Sequence, residues 1–334
     1  MPTFAVKTDK IKKCFGELCA VKDVSIEVEQ GSFFGFLGPN GAGKSTLIRM
    51  LTTLIRPTSG TAMVAGHDII RDPVGVRQSI GVVPQSMSSD LDLTARENMD
   101  IYAKFYSVPR RRRAQVIPEL LEKVGLTNKA DDLVATYSGG MRRRLDIARC
   151  LVHMPDLLFL DEPTSGLDPQ SRRVVWDMLQ SFMRDYKLTI FLTTHYMEEA
   201  ETLCDQVAIV DHGEIVVKGT PAELKAGIPG NDIVTMTLEG DIAKADAAVK
   251  AEAYVHKTVV EGQELRCYVD EGGKHAASLM QLMERLGLKI QTVGIQKQSL
   301  EDVFIHLTGR SIREEETRKV SMFLGAGVPQ KLGR

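Results

Sequence analysis

Gly38, Gly43, Lys44 and Ser45 fall at the spacing Gly-x4-Gly-Lys-Ser, inside the run Gly38-Pro39-Asn40-Gly41-Ala42-Gly43-Lys44-Ser45-Thr46. This is the spacing of a phosphate-cradling loop. Its glycines let backbone N–H groups wrap phosphate oxygens, its lysine neutralises the β and γ oxygens, and its serine hydroxyl binds Mg²⁺. The parts must act together. A helix dipole contributes only about 0.3–2 kcal/mol, whereas millimolar affinity already needs about 4 kcal/mol. Several hydrogen bonds to charged groups, at roughly 1.5–3 kcal/mol each, must join it.

Further along, Asp161-Glu162 closes an apolar run, Leu157 to Leu160. Asp161 is placed to hold Mg²⁺, directly or through water, and Glu162 to polarise an attacking water as general base. Taken alone, the pair reads more readily as a helix N-cap plus a surface acid; the phosphate loop upstream turns the reading to Mg²⁺ and base. Ser138-Gly139-Gly140 precedes a helical pattern through Leu145, Ile147, Ala148 and Leu151. Ser138 suits an N-cap; with the glycine N–H groups and the helix terminus it also suits an anion site. Gln85 and His195 each follow a short apolar run. Either is ordinary by itself, but at the C-terminal ends of parallel strands beside a phosphate loop both become candidate sensors of the γ-phosphate or the water.

The elements that must position these groups are legible in the hydrophobic pattern. Residues 33–37, 80–83, 157–160 and 189–193 are short and mostly apolar, as strands buried on both faces of a parallel sheet are. Val24, Ile26 and Val28 alternate with polar residues, which predicts a half-exposed antiparallel strand. Asp211-His212-Gly213 joins two apolar runs as a hairpin near 206–217. Between the second and third buried strands lies a helical lobe, about 88–153. Thr94-x-x-Glu97 is a capping box for its first helix, and Gly125 stops the next. Residues 231–308 predict strand, helix, hairpin, helix, strand, helix. Leu279, Leu282, Met283 and Leu286 keep helical spacing, as do Leu300, Val303, Phe304 and Leu307. The division expected is 1–222, 223–310 and a disordered tail over 311–334.

Composition narrows the classes. The 334 residues carry 43% hydrophobic and 26% charged side chains, an ordinary globular balance, and a net charge of −2, so no global basic field recruits nucleic acid. No apolar stretch reaches the roughly 18–20 residues that span a bilayer, and the lysines and acids of the N-terminus predict no signal peptide. Cys14, Cys19, Cys150, Cys204 and Cys267 form no Cys-x-x-Cys, and reduced thiols are expected. Arg110–Arg113 and Arg142–Arg144 read as solvated helix faces, with an anionic lipid or an acidic partner as the alternative.

In order and spacing these motifs resemble the ATP-binding subunits of ABC transporters over about residues 3–222. The resemblance implies a P-loop NTPase (RecA-like) α/β core with an antiparallel β flank and a helical lobe, followed by a small C-terminal α+β domain. It implies ATP and Mg²⁺ as cofactors. Gly38–Thr46 corresponds to the Walker A loop, Gln85 to the Q-loop (a Mg²⁺ ligand with Ser45 and Asp161), and Asp161-Glu162 to the Walker B end. Asp168 corresponds to the D-loop that links subunits, His195 to the switch histidine, and Phe15 to the aromatic that stacks on adenine. Ser138, Gly139, Gly140 and Met141 correspond to the signature, which completes the ATP site of a partner subunit. A single copy of each motif therefore implies an ATP-sandwiched homodimer that drives a separate membrane permease of about six helices. The subunit itself would sit on the cytoplasmic face of the membrane and reach the bilayer only through that permease.

The commonest signature reads Leu-Ser-Gly-Gly-Gln; here Tyr137 and Met141 flank the kept Ser-Gly-Gly. That variant followed by Arg142-Arg143-Arg144-Leu145, and the ending Ser299–Arg310, resemble the daunorubicin-resistance branch, which implies drug export. Two alternatives remain at this stage. One is an importer ATPase whose C-terminal domain senses a small molecule. The other is a non-transport ABC ATPase, although there is no coiled-coil insert of the DNA-repair kind and no second cassette of the translation kind.

Overall fold

The computed structural model describes residues 4–230 and 232–309; the tail expected over 311–334 lies outside them. The chain divides near Gly219 into two compact units. Unit 1 begins with three strands, β1 (Phe4–Phe15), β2 (Leu18–Val24) and β3 (Glu27–Glu29), followed by β4 (Phe33–Leu37) and helix α1 (Lys44–Leu51). Then come β5 (Ser59–Val64), β6 (His67–Asp68), α2 (Pro73–Ser79) and β7 (Ile80–Val83). The helical lobe holds α3 (Ala95–Phe105), α4 (Arg110–Lys123) and α5 (Gly139–Cys150). The chain returns to the core through β8 (Leu157–Asp161), α6 (Pro169–Tyr186), β9 (Thr189–Thr194), α7 (Met197–Leu203), β10 (Gln206–Asp211) and β11 (Glu214–Gly219).

One sheet has the order β11-β10-β4-β9-β8-β7, with β10, β4, β9, β8 and β7 parallel. Its strands are near-continuous apolar runs because both faces are covered: every residue of β4 and of β9 is buried. Phe191 of β9 centres the packing, with ring centroids 5.3 Å from Phe34, 6.1 Å from Phe36 and 5.3 Å from Phe159. Burying a phenylalanine side chain contributes about 1.5–3 kcal/mol, so this aromatic layer is a large part of what fixes the strand order. The second sheet, β2-β1-β5-β6 with β3 also on β1, pairs antiparallel throughout its recorded ladders.

The expected alternation holds at Val24, Ile26 and Val28, which are all buried. They do not belong to one strand, however, since the ladder breaks between β2 and β3 and Asp23 adopts a positive φ of 49°. The capping box at Thr94 and Glu97 forms as expected, and Gly125, φ 65°, follows the end of α4.

Unit 2 contains α8 (Pro221–Ala226), β12 (Asp232–Glu239), α9 (Ile242–Val249), β13 (Val255–Glu261), β14 (Glu264–Val269), α10 (Gly272–Arg285), β15 (Lys289–Lys297) and α11 (Leu300–Thr308). From β12 onward this is the strand, helix, hairpin, helix, strand, helix order read from the sequence. Its sheet runs β13-β14-β12-β15, and Val234, Met236, Leu265 and Cys267 face Leu279 and Met283 of α10 across a separate core.

The expectation of five reduced thiols is corrected here. Cys14 and Cys19 form a disulfide; Cys150, Cys204 and Cys267 are free and buried. The physical reason is register. The β1–β2 hairpin turns at Gly16-Glu17 and places Cys14 opposite Cys19, a neighbourhood that cysteine count and Cys-x-x-Cys spacing do not encode. Thiol titration of the denatured, unreduced protein should therefore count three free thiols, rising to five after reduction; five before reduction would refute the pairing.

Candidate functional site

Four strand ends of the parallel sheet deliver the candidate residues. After β4 the chain turns through residues 38–43 into α1. Gly43 has φ 98°, and a Cβ there would lie 2.2 Å from the Ala20 carbonyl oxygen, so only glycine fits the turn. Helix α1 has no side-chain cap and no acid in its first turn, which leaves its N-terminal amides for an anion. Lys44 opens the helix, is 4% exposed, and donates from Nζ to the carbonyl oxygens of Gly38 (2.7 Å) and Pro39 (3.1 Å).

From β8 come Asp161 and Glu162. Asp161 Oδ1 accepts from Ser45 Oγ at 3.1 Å and from Thr193 Oγ1 at 2.6 Å. Glu162 is 6% exposed and holds a positive φ of 48°, a strained backbone for a residue with a side chain and a recurrent mark of functional positions. Its Oε1 lies 3.2 Å from Lys44 Nζ. Its Oε2 accepts from Gln85 Nε2 at 3.2 Å and lies 3.2 Å from His195 Nδ1, out of line for a good hydrogen bond. Burial works to raise the Glu162 carboxyl, but neighbouring His195 and Lys44 outweigh it and hold the group below its ordinary value. The carboxylate is therefore ionised at neutral pH, as a base must be.

The structure thus brings together Lys44, Ser45, Gln85, Asp161, Glu162 and His195. Ser45 and Asp161 offer oxygen atoms, and Gln85 has an amide oxygen beside the nitrogen it turns to Glu162; oxygen donors suit Mg²⁺, an ion that keeps several waters and shares phosphate oxygens. Phe15 stands apart at the tip of the β1–β2 hairpin, 54% exposed, with Lys13 Nζ 5.1 Å from its ring centre. A cavity of about 1050 Å³ runs from this hairpin, at Leu18, Cys19 and Ala20, to Gly41 of the loop.

Ser138, Gly139, Gly140 and Met141 also form their own feature. Ser138 caps α5, accepting from Met141 N at 3.3 Å, and Ser138 and Gly139 are exposed. Gly140 packs on α6: a Cβ there would meet Ser171 Oγ at 2.7 Å. Asp168 caps α6 through Ser171 N at 2.9 Å. Tyr137 is buried, and its hydroxyl donates to the Lys129 carbonyl at 2.5 Å, so it anchors the loop from within.

Some residues of the site carry no motif. Thr193 braces Asp161; its only sequence signal is a hydroxyl in an apolar strand. Fully buried Glu199 accepts from Thr164 Oγ1 (2.8 Å) and Trp176 Nε1 (3.0 Å), tying the segment after Glu162 to the helix after His195. Burial raises its carboxyl. The reading of Arg142–Arg144 as a solvated face is corrected. Arg143 is 1% exposed and donates to the carbonyl oxygens of Pro84 (2.8 Å) and Gln85 (2.6 Å). Arg142 donates to the Ala135 carbonyl at 2.9 Å, and Arg144 bonds the Val124 carbonyl. These arginines meet backbone carbonyls because α5 lies inside the lobe. In the other run, Arg110, Arg111 and Arg112 are exposed, as a solvated face requires, whereas Arg113 is largely covered and lies 3.4 Å from Asp100.

The ABC transporter family profile matches residues 21–165, and that of the "ATP-binding protein DrrA1-3-like, C-terminal domain" matches residues 219–308. The chain is 39% identical to the daunorubicin/doxorubicin resistance ATP-binding protein DrrA of Streptomyces peucetius, over 96% of this chain and 97% of that protein. It is 40% identical to the Nod factor export ATP-binding protein I of Paraburkholderia xenovorans (strain LB400), over 94% of this chain and all of that one. Among solved structures, the post-hydrolysis dimer of the ATP-binding cassette MJ0796 bound to ADP and Pi matches with a TM-score of 0.58 and 25% identity, covering 64% of this chain and 98% of that one. No helix among the described residues is long and apolar enough to cross a membrane. The chain belongs to the ATP-binding, ATP-hydrolysing subunits of ABC transporters, in the branch that carries a DrrA-like C-terminal domain.

Proposed function

We propose that this subunit powers an ABC exporter of a drug, antibiotic or lipid-like cargo. In this reading two copies enclose two ATP molecules and drive a separate membrane permease from the cytoplasmic face of the membrane. The observation that carries it is the convergence on Glu162, whose two carboxylate oxygens have Lys44, Gln85 and His195 all within 3.2 Å. Four strand ends are needed to build that cluster, and each brings a side chain that phosphoryl transfer from ATP to water requires.

Lys44 neutralises charge on the β and γ oxygens, and the N-terminus of α1, which no side chain caps, holds the same phosphates. Ser45, Asp161 and Gln85 hold Mg²⁺, which supplies further charge neutralisation when bound there. Glu162 takes the proton of the attacking water, with Gln85 and His195 orienting that water and the γ-phosphate. Phe15 stacks on adenine, a contact of about 1–3 kcal/mol if it resembles base stacking on aromatic side chains. Ser138, Gly139, Gly140 and Met141 close over the ATP held by the other copy, and Asp168 links the two subunits. The MJ0796 cassette, solved as a dimer with ADP and Pi, supports the paired arrangement. The names of the resistance and export relatives support export as the direction. The permease, of about six helices, is gripped near Gln85, in the groove between the sheet and the helical lobe.

Two experiments test the assignments. Glu162→Gln should bind ATP within a few-fold of the parent, lose hydrolysis by about 100-fold or more, and accumulate an ATP-bound dimer on size exclusion. Parental turnover in that variant would remove Glu162 from its role. In a mixing experiment, Ser138→Arg subunits and Lys44→Ala subunits, each inactive alone, should restore one site per mixed dimer and recover nucleotide-dependent pairing. A mixture as inactive as its components would argue against shared sites.

A further inference from the structure

The end of β1 that carries Phe15 is weakly held by its own ladders. The last recorded pair between β1 and β5 is Lys12 with Ser59, so the hairpin beyond it has two strands only, and a two-stranded hairpin is marginal in water. β1 and β2 also slip in register twice, between Ile11 and Lys13 and between Lys13 and Cys14. Past those slips two pairs remain, Cys14 with Cys19 and Phe15 with Leu18. The Cys14–Cys19 disulfide closes this tip, and Phe15 lies inside the small ring so formed.

The two cysteines belong to differently anchored segments. Ala20 follows Cys19, and its carbonyl oxygen lies where a Cβ on Gly43 would approach within 2.2 Å, so this part of β2 packs on the phosphate loop. Lys22 N donates to the Gly213 carbonyl at 2.8 Å and holds β2 further along. Cys14 N donates instead to Thr58 Oγ1 at 3.0 Å, and Lys13 Nζ to the Arg56 carbonyl at 2.7 Å. The disulfide is the covalent link between the strand that bears the aromatic ring and the strand that touches the loop. With a sequence separation of 5 it removes less entropy from the unfolded chain than a long ring would. What it adds is local: a fixed position of Phe15 relative to residues 38–43.

The bond is also within reach of solvent. Cys14 and Cys19 are half-buried, and Cys19 lines the cavity that runs to Gly41. Cys150, Cys204 and Cys267 are buried, and burial pushes the Cys150 and Cys267 thiols up to about 11 and about 12, which keeps them protonated and inert at neutral pH. Exchange requires a thiolate to reach a sulfur atom, and this pair alone is so placed. On the cytoplasmic face, where the subunit is proposed to act, disulfides are mostly transient or redox-sensing ones.

We propose that Cys14 and Cys19 form a thiol–disulfide exchange site that positions Phe15, so that a dithiol reductant weakens ATP binding and reoxidation restores it. The inference rests on the adenine-stacking reading of Phe15 given above. A thiolate of the dithiol attacks one sulfur of the pair, forming a mixed disulfide and expelling the other sulfur as a thiolate. The second thiolate of the dithiol then displaces the remaining protein sulfur. Two electrons and two protons pass to the chain, whose S–S bond is broken, and the dithiol leaves as a disulfide.

The test measures the dissociation constant of a ribose-labelled fluorescent ATP analogue on the full chain. Thiol titration defines the two forms, three free thiols when oxidised and five after dithiothreitol; five before reduction overturns the proposal. Reduction should raise the constant fivefold or more, toward that of Phe15→Ala, and reoxidation with a small disulfide should return it. A variant with both Cys14→Ser and Cys19→Ser should match the reduced parent in either condition. Equal constants for the oxidised and reduced parent, with Phe15→Ala weaker than both, overturn the proposal and leave the stacking reading standing. A response of the double serine variant to dithiothreitol as large as the parent's also overturns it, because the effect then lies in another cysteine. Should that variant fail to fold, the two forms of the parent and Phe15→Ala decide the question by themselves. If Phe15→Ala binds as tightly as the oxidised parent, the stacking reading falls and takes the proposal with it.

Discussion

The carboxylate of Glu162 is a charge held almost out of water. An ionised carboxylate in such a place costs several kcal/mol unless it is paired and hydrogen-bonded. Its compensation comes from Lys44 on one oxygen and from Gln85 and His195 on the other. Those partners lie far apart in the chain, so the requirement to neutralise one buried group constrains three separate loops at once. Displacing Lys44 would take the counter-charge from the buried glutamate, and displacing Gln85 would take a hydrogen bond from it. The chemistry and the stability of the region therefore depend on the same contacts, and a variant that removes one partner should be judged on both.

That convergence is possible because of the sheet. In a parallel arrangement all strands point the same way, so the loops after β4, β7, β8 and β9 leave from one edge. The order β4-β9-β8-β7 puts the loop bearing Lys44 beside the strand that delivers His195. The next strand delivers Asp161 and Glu162, and Gln85 follows at the rim. The aromatic layer around Phe191 holds this order from beneath. Thr193 shows how fine the arrangement is: one hydroxyl on β9 braces Asp161 on β8, so the register of two neighbouring strands sets the direction in which an acidic oxygen points toward Ser45.

What the sequence made legible follows the same physics. Buried parallel strands announce themselves as short apolar runs, and phosphate loops by glycines that no other residue can replace, as at Gly43. Both are local properties. The alternating α and β elements after Gly219 were equally local, because their helices each carry one apolar face. Contacts between distant segments left no such trace. Arg143 looked like any arginine in a basic run, since spacing along a helix does not say whether a face meets solvent or a loop. Cys14 and Cys19 looked unrelated until the hairpin register placed them opposite each other. Glu199 and Trp176 had no periodic signal at all, because their pairing depends on how α6 and α7 pack.

The exposed turn at Ser138 contrasts with all of this. Of the groups gathered around Glu162, Lys44 is buried and His195 nearly so, and only Gln85 is exposed. Ser138 and Gly139 are exposed, and the helix they open has no acidic residue in its first turn, while Arg142 lies there instead. A positive helix end is favourably covered by an anion, and a cation there is unfavourable. Ser138 caps this helix and Arg142 donates to the Ala135 carbonyl, so both serve the subunit's own fold; in the proposed reading the same open, positive end also meets the ATP of the other copy. Gly140 adds a geometric argument. Its lack of a side chain lets α5 sit directly on Ser171 of α6, the helix capped by Asp168, which brings the two features proposed to meet the partner onto adjoining helices.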